Sequence, residues 1–319
     1  MSDFNNIQED LKHEYRQIQY LNSGENSHQN AGLYTAEKQI EYEILSGGEL
    51  TYLNIINITT ALNCVSEFFD VNCTAIVKNG SPSSAALGKN TNDSYIKAFD
   101  GDPINAFSGN IAFSGTVDAE TAEHLCAMAV EVIAAPDFEP KASKLLDKNN
   151  FTKVIKLKTP LKDYKQLSCE DIKTTPFGTL IQTPNRSELD KNLFKVVTKA
   201  RPAAEQIEDA VFAWKIAKYA HSSGVVIAKD FKITAIGQGQ TNSVTAIEQA
   251  LDFACDASKD AVAAFDESIT DVKCIYAAAQ GRVALIIQPG GTTKDKEIIA
   301  AADKYNIVMI TTGITNIRI

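Results

Sequence analysis

Two short apolar segments that each end in a lysine limit the folds open to this chain. Residues 75–78 read AIVK and residues 226–229 read VIAK, and each follows a stretch whose apolar residues repeat at helical spacing. Segments this apolar are typical of strands that are buried on both faces. Strands that alternate with helices predict an α/β fold, with mixed sheets flanked by helices. The likeness of the two segments suggests an internal duplication.

The first half of the chain is interpreted as an alternation of helices and strands. Residues 1–20 show helical spacing, and Asp118 is placed to cap a helix that runs to Met128. Further helices are predicted at 52–69 and 92–99, and strands at 74–78, 109–113, 130–134, 154–157 and 178–181. A loop of small residues is expected after Lys78, and the stretch between the last two strands is interpreted as a connector.

The second half repeats the element order of the first. Helices are predicted at 203–220 and 244–253, and strands at 225–228, 233–236, 283–287 and 307–310. Thr292 and Asp295 match a capping box for a helix that ends near Lys304. A boundary near residues 199–202 divides the chain into a first domain of residues 1–198 and a second domain of residues 199–319.

Composition and charge argue against several classes of protein. A net charge of −9 without a long basic tract argues against a general affinity for nucleic acid or anionic membranes. No apolar stretch is long enough to cross a bilayer, and the polar N-terminus lacks a signal-peptide core, so we expect a cytoplasmic protein. The six cysteines form no C-x-x-C pair and lack zinc-site spacing with the four histidines, so no metal is predicted.

A set of ordered motifs links the whole chain to a known family. The motifs are GENSHQ at 24–29, LTYLN at 50–54, IVK at 76–78 with Pro82 and Gly88, DPINAF at 102–107, VDAETA at 117–122, VEVIAAP at 130–136, FAWKIAK at 212–218, IQPGG at 287–291 and IAAAD at 299–303. In this pattern the chain resembles the transformylase domain of the bifunctional purine enzyme that joins aminoimidazole carboxamide ribonucleotide (AICAR) transformylase to IMP cyclohydrolase. The cyclohydrolase region has no counterpart in the sequence, so we expect a stand-alone transformylase-like domain.

The resemblance implies a fold, an assembly and a reaction. The implied fold is a pair of cytidine-deaminase-like subdomains in one chain, without zinc. The implied assembly is a homodimer whose active sites lie at the subunit interface. The implied reaction transfers a formyl group from 10-formyltetrahydrofolate to the weakly nucleophilic amine of AICAR in purine biosynthesis. A purine nucleotide and a folate are therefore the expected ligands.

The resemblance also places catalytic groups, and this sequence departs from the family at two of them. The family's Lys-His pair falls on Lys78 and Asn79, so the lysine is kept while the proton-relaying histidine is replaced by a side chain that cannot titrate. The asparagine that helps to orient the formyl group falls on Ser223. Lys78 is then either a remnant of the catalytic pair or a solvated lysine at a strand end.

The nucleotide-binding positions that the resemblance implies have also lost charge. The family's Arg-Tyr pair falls on Asn22-Ser23, just before Gly24, and the arginine of its Gly-Gln-x-Ser-Arg run falls on Ser243. In the C-terminal motif the first arginine is replaced by Thr315 and only Arg318 remains. The substrate-binding candidates are Gly24, Gln240, Ser243 and Arg318.

Folate-side candidates lie in the first half. Asp102 and Glu131 match the family in place and type, and Phe107 closes the DPINAF motif. The family's Phe-Pro-Phe segment on the folate side falls near residues 269–271, which read ITD. A structural role is the alternative for each of these side chains.

The combined losses predict weak nucleotide binding and slow transfer. Each lost charged or proton-relaying group is worth on the order of a few kcal/mol. Three hypotheses follow. The first is a diverged formyltransferase that acts on AICAR or another amine. The second is a non-catalytic relative that serves as a structural, self-assembling or regulatory protein, and the third is a module that binds a nucleotide or folate as a signal.

Overall fold

A computed structural model describes residues 12–35, 38–149, 151–167, 170–190 and 194–319. In chain order the strands are β1 (Gln17–Leu21), β2 (Ala31–Tyr34), β3 (Tyr42–Ser46), β4 (Asn72–Lys78), β5 (Ser81–Gly88), β6 (Asn110–Phe113), β7 (Val132–Ala135), β8 (Lys153–Leu157), β9 (Asp171–Thr175), β10 (Gly178–Gln182), β11 (Lys195–Val196), β12 (Val225–Lys229), β13 (Lys232–Gly237), β14 (Val262–Phe265), β15 (Leu285–Gln288) and β16 (Val308–Thr311). The helices are α1 (Tyr52–Ser66), α2 (Thr91–Gly101), α3 (Pro103–Ala106), α4 (Ala119–Cys126), α5 (Pro140–Leu146), α6 (Leu161–Leu167), α7 (Ala204–Ala217), α8 (Ser243–Ala254), α9 (Lys273–Gln280) and α10 (Asp295–Lys304).

A twelve-stranded mixed sheet runs through both halves of the chain. Its strand order is β11-β16-β15-β14-β12-β13-β5-β4-β6-β7-β8-β3, and the two halves meet where β13 pairs with β5. Outward from this junction, each half has two antiparallel pairings, then two parallel pairings, then an antiparallel edge strand. The α/β class expected from the sequence is therefore confirmed, with one mixed sheet in place of separate ones.

Alternate residues of the central strands face opposite sides of the sheet. Ala75 and Val77 belong to a core that contains α1 and α7 and extends across both halves. Ile76 lies on the other face, in a core with α2, α4 and α5, while the second half forms its own core there with α8, α9 and α10. The sheet is thus covered on both faces, which explains why its strands are uniformly apolar.

Two expectations for the first half were wrong. Within the predicted helix at 1–20, the described part contains strand β1 (Gln17–Leu21), while residues 1–11 lie outside the described residues. The small-residue segment after Lys78 is strand β5 rather than a loop. Pro82 is accommodated there beside a bulge in the β4–β5 pairing, where a missing amide hydrogen does least harm.

Two further expectations need correction. The segment interpreted as a connector contains helix α6 and strand β9. Thr292 is not the N-cap of α10, because the helix begins at Asp295 with Lys294 in the cap position. The Asp295 carboxylate still accepts hydrogen bonds from the Thr292 amide and hydroxyl, at 3.0 and 2.8 Å. The Asp118 cap is confirmed, since its carboxylate accepts from the Thr121 amide at 2.8 Å.

Candidate functional site

The lysine singled out in the sequence lies at the tip of a tight hairpin. Lys78 ends β4 and pairs with Ser81 of β5, so only Asn79 and Gly80 form the turn. Both turn residues have positive φ, 52° and 73°, which is the geometry of a type I′ hairpin turn. Asn-Gly is the preferred sequence for this turn, so the pair could have been recognised from the sequence. Asn79 is exposed and its conformation belongs to the turn.

The first-half candidates converge on one short segment, residues 107–109. The Lys78 ammonium donates to the Ser108 hydroxyl. The Phe107 carbonyl accepts from the Ala129 amide at 2.9 Å, and the Glu131 amide donates to the Gly109 carbonyl at 3.0 Å. These contacts bring Lys78, Phe107 and Glu131 to the same part of the surface, at one end of β4 and β6.

Asp102 and Glu131 have structural partners at this surface. Asp102 caps α3, the helix that leads into residues 107–109, and its carboxylate accepts from the Asn105 amide at 3.1 Å. One oxygen of Glu131 accepts from the side-chain amides of Asn54 and Asn110, at 3.4 and 3.3 Å. Phe107 is 52% exposed, so its ring is open to a ligand or partner.

The second-half candidates gather around a carboxylate that sequence reasoning missed. The hydroxyls of Ser223 and Ser243 both donate to one oxygen of Glu267, at 2.5 and 2.8 Å. The Ser223 amide donates to the Gln240 carbonyl at 2.9 Å, which places Gln240 at the same cluster. Glu267 and Asp266 directly follow buried strand β14, a placement common for functional groups, and this signal could have identified them.

Asp266 lies beneath this cluster and is 1% exposed. Its carboxylate accepts from the Ser222 hydroxyl at 2.5 Å. Burial raises the pKa of Asp266 to about 6, and the Glu267 charge adds to the rise, while the Ser222 hydroxyl and the Gly224 amide oppose it. The second-half cluster therefore contains two neighbouring carboxyl groups, of which one is protonated in part near neutral pH.

Arg318 connects the two groups of candidates. Its main chain pairs with Ser222, through an amide-to-hydroxyl bond of 2.9 Å and a carbonyl that accepts from the Ser222 amide at 2.9 Å. Its guanidinium donates to the carbonyls of Gly80, at 3.1 Å, and Tyr219, at 2.5 Å. Burial lowers the pKa of Arg318 below its ordinary value. A hydrogen-bonded path thus runs from the Lys78 turn to the second-half cluster.

Gly24 stays apart from these groups. It lies in the loop between β1 and β2, and its amide donates to the Gln29 carbonyl of the same loop at 2.9 Å. The structure therefore brings together the other predicted site residues, in two linked clusters, and leaves this one in its own hairpin. A cavity of about 380 Å³ lies elsewhere, between α1 and α6, with Thr59, Asn63 and Tyr164 in its wall.

Across the described ranges, no three His, Cys, Asp or Glu side chains converge where they could hold a metal ion. None of the helices in the described part of the chain has both the length and the apolar composition needed to span a bilayer.

Comparison with known proteins identifies relatives. A profile described as the AICARFT/IMPCHase bienzyme matches residues 1–252. The bifunctional purine biosynthesis protein PurH of Caldicellulosiruptor saccharolyticus is 38% identical over 308 residues, which cover 94% of this chain and 59% of that protein. PurH of Thermoanaerobacter sp. is 37% identical over 321 residues, which cover 98% of this chain and 62% of that protein.

A eukaryotic relative shows the same extent of similarity. The bifunctional purine biosynthesis protein of Dictyostelium discoideum is 35% identical over 314 residues, which cover 95% of this chain and 57% of that protein. The chain spans about 60% of the length of these relatives. Both the profile match and the identity over nearly the whole chain place it in one family. The chain belongs to the AICARFT/IMPCHase bienzyme family of purine biosynthesis, as its motifs predict.

Proposed function

We propose that this chain is a diverged transformylase-like protein of purine metabolism in which formyl transfer from 10-formyltetrahydrofolate to AICAR is strongly reduced. Family membership supports the link to this reaction. The curated relatives are bifunctional purine biosynthesis proteins, and this chain spans about 60% of their length. The proposal for this chain therefore rests on its own site residues.

One observation carries the proposal: the hydroxyls of Ser223 and Ser243 both donate to the Glu267 carboxylate. The resemblance implies an orienting asparagine and an arginine at the two serine positions. Here the same positions hold short neutral side chains turned toward a negative charge. A carboxylate at this point repels the phosphate of a nucleotide and the glutamate group of a folate. The second-half cluster is therefore poorly suited to the family's anionic ligands.

The first-half cluster keeps a cation but no histidine beside it. Formyl transfer requires an acceptor for the amine proton and donors for the developing oxyanion. Lys78 supplies positive charge next to Ser108, whereas Asn79 has no titratable group. The proton-accepting side chains of the site are instead Asp266 and Glu267, in the second half.

The expected loss of rate follows from the number of missing groups. A hydrogen bond to a charged group is worth about 1.5–3 kcal/mol. Three such groups are absent at Asn79, Ser243 and Thr315, so AICAR turnover is expected to fall at least about a thousandfold.

A second candidate function, a non-catalytic and self-assembling protein, is favoured by an exposed apolar surface. Ile104 is 84% exposed, and Leu53 and Ile56 of α1 are 42% and 41% exposed. Ile56 packs beside Gly80, and Ile104 lies in α3, just before the segment that contacts Lys78. A second copy that covers these side chains would form a homodimer with the Lys78 turn at its interface. We include this cytoplasmic homodimer in the proposal.

The two halves are proposed to be cytidine-deaminase-like repeats, with residues 1–198 and 199–319 as the two domains. Their hairpins support this proposal. Asn79 and Gly80 turn the first hairpin with positive φ at both residues, and Asp230 and Phe231 turn the second in the same way, with φ of 54° and 55°.

The bulges in the two hairpins support the repeat as well. Each hairpin has one extra residue in its second strand, Ser83 in β5 and Thr234 in β13. Both hydroxyls donate to the carbonyl of the opposite strand, at 3.4 and 3.3 Å. Because bulges are local departures from regular pairing, their occurrence at the same place in both halves favours a common origin.

Calorimetric titration with AICAR and with a folate analogue tests the proposal. We expect dissociation constants in the millimolar range or weaker, because the anionic groups of both ligands approach the Glu267 carboxylate. Glu267→Gln removes the charge and is expected to strengthen AICAR binding severalfold. Glu297→Gln is the matched control, since this exposed carboxylate pairs with Lys294 at the start of α10 and not with the hydroxyls of Ser223 and Ser243. Micromolar binding of AICAR by the unaltered chain would contradict the proposed divergence.

A further inference from the structure

The main-chain amide and carbonyl of Gly80, in the Lys78 turn, are both hydrogen-bonded by residues distant in the sequence. Its amide donates to the Asn57 side chain at 2.6 Å. Its carbonyl accepts from the Thr60 hydroxyl at 3.0 Å and from the Arg318 guanidinium at 3.1 Å. Asn57 and Thr60 lie one turn apart on α1 and are 5% and 2% exposed. The amide and the carbonyl of Gly80 are therefore both held from outside the hairpin.

Arg318 connects this turn to the other half of the molecule. Its main chain is paired with Ser222, and the Ser222 hydroxyl donates to the buried Asp266 carboxylate. The same guanidinium also donates to the Thr60 hydroxyl at 3.4 Å. The position of the Gly80 carbonyl therefore depends on a contact with the second-half cluster.

The equivalent turn of the second half is held in a different way. The amides of Asp230 and Phe231 donate to the Asp209 carboxylate of α7, at 2.9 and 2.7 Å. The lysine before this turn, Lys229, donates to the carbonyl of Lys259. Among the described residues, only the first-half turn, which carries Lys78, accepts a hydrogen bond from an arginine of the opposite half.

We propose that Asn57, Thr60 and Arg318 are positioning residues that hold Lys78 against Ser108 and make its placement depend on the second half. A catalytic meaning for this placement rests on the proposed function, whereas the placement itself does not. Misplacing a reacting group by about 1 Å can cost about a hundredfold in rate. Residues that do not contact a reacting group can therefore control the reaction rate through the position of the Lys78 ammonium.

The test measures how fast Lys78 is acetylated by acetic anhydride, by peptide mass spectrometry across a pH series. Thr60→Val keeps the shape of the side chain and removes the hydroxyl, and Arg318→Met removes the guanidinium. Each variant is expected to speed labelling of Lys78 about fivefold, the ratio that corresponds to one hydrogen bond of about 1 kcal/mol. Thr60→Ser restores the hydroxyl and is expected to restore the slow rate.

Lys229 serves as the internal control, since it occupies the matching place in the other hairpin. Its labelling is expected to stay constant in all three variants. Unchanged labelling of Lys78 in Thr60→Val and Arg318→Met overturns the proposal, and so does a change that Thr60→Ser fails to reverse. Formyl transfer to AICAR by the wild-type chain at nearly the rate of its relatives would count against the proposed function alone, because the labelling experiment decides the positioning role separately.

Discussion

At the scale of single residues, Asn79 meets the demands of its turn without offering a titratable group. The residue has φ of 52°, in the left-handed region that asparagine and histidine enter more readily than most side chains. An exchange between these two residue types therefore satisfies the turn and removes the titratable group. The resemblance implied a lost proton relay at this position, and the turn explains why the replacement is an asparagine.

The turn predicts how Asn79 tolerates substitution. Asn79→His is expected to change the free energy of unfolding by less than about 0.5 kcal/mol, because the position is exposed and histidine tolerates this φ. Asn79→Val is expected to lower the free energy of unfolding by about 1–2 kcal/mol, since a β-branched side chain is strained at this positive φ. Urea denaturation measures both values. Equal stability of the two variants would show that the turn does not impose this conformation.

Some site residues could be predicted from the sequence and others could not. Lys78, Ser223, Ser243 and Arg318 were named as candidates because the resemblance assigns a role to each of these positions. Glu267 was missed because its importance depends on two hydroxyls from distant parts of the chain. Its position after a buried apolar strand was the only local signal for it.

At the scale of elements, each half uses a glycine to pack a hairpin strand against the following helix. Gly88 ends β5 against α2, and a Cβ there would overlap the Ser94 backbone. Gly237 ends β13 against α8, and a Cβ there would overlap the Ala246 carbonyl. Neither glycine is explained by its φ, so close approach of the backbones is the reason for the residue type.

Gly237→Ala is predicted to lower the free energy of unfolding by about 1–3 kcal/mol, the usual cost of overpacking. Thermal and urea denaturation measure the loss, and Gly88→Ala is expected to behave alike. Gly48→Ala is the contrasting variant, because no atom lies within 4 Å of its Cβ position and φ is 85° at Gly47 and 75° at Gly48. Gly48→Ala is expected to lower the free energy of unfolding by about 1 kcal/mol, because of backbone strain alone. A harmless Gly237→Ala would contradict the close packing of β13 on α8.

The elements differed in how well the sequence predicted them. Strands β4, β7, β12 and β15 were predicted because both of their faces are buried and they are continuously apolar. Strand β14 was not predicted, although all four of its residues are buried. Strand β5 was missed because serine, proline and alanine give it the composition of a loop. Strand β1 was missed because most of its residues are exposed and their spacing also fits a helix. Pairing partners in the sheet, rather than local composition, determine these two strands.

At the scale of the whole molecule, the halves are joined by more than the sheet. The direct pairing of β13 with β5 involves one residue pair, Lys232 with Ala86. Glu67, at the end of α1, adds a buried link, because its carboxylate accepts from Lys218 at 3.0 Å and from Tyr219 at 2.6 Å. Lys165 of α6 completes the cluster at 2.6 Å. Tertiary links of this kind leave no local pattern in the sequence.

Glu67→Gln is predicted to be strongly destabilising. The Lys218 side chain is 2% exposed, so removal of its partner leaves a buried charge without compensation. Breaking such a pair costs about 3–5 kcal/mol. Urea denaturation measures the loss, with Glu297→Gln as a control that is expected to cost less than about 0.5 kcal/mol. A loss near that of the control would show that the cluster does not hold the halves together.

The same cluster predicts a pH dependence. Burial alone would raise the pKa of Glu67, but Lys218, Lys165 and Tyr219 outweigh it and bring the pKa below its ordinary 4.5. A lowered pKa in the folded state means that Glu67 contributes stability above pH 4.5, and that this contribution is lost as pH falls through the folded pKa. The stability difference between wild type and Glu67→Gln is therefore expected to shrink below pH 4.5.

The reduced activity proposed for this chain is tested by the rate of formyl transfer from 10-formyltetrahydrofolate to AICAR. The purified chain would be assayed beside the Dictyostelium discoideum relative, with Lys78→Ala as the control for this site. We expect turnover at least about a thousandfold below that of the relative. Turnover within about tenfold of the relative, abolished by Lys78→Ala, would contradict it.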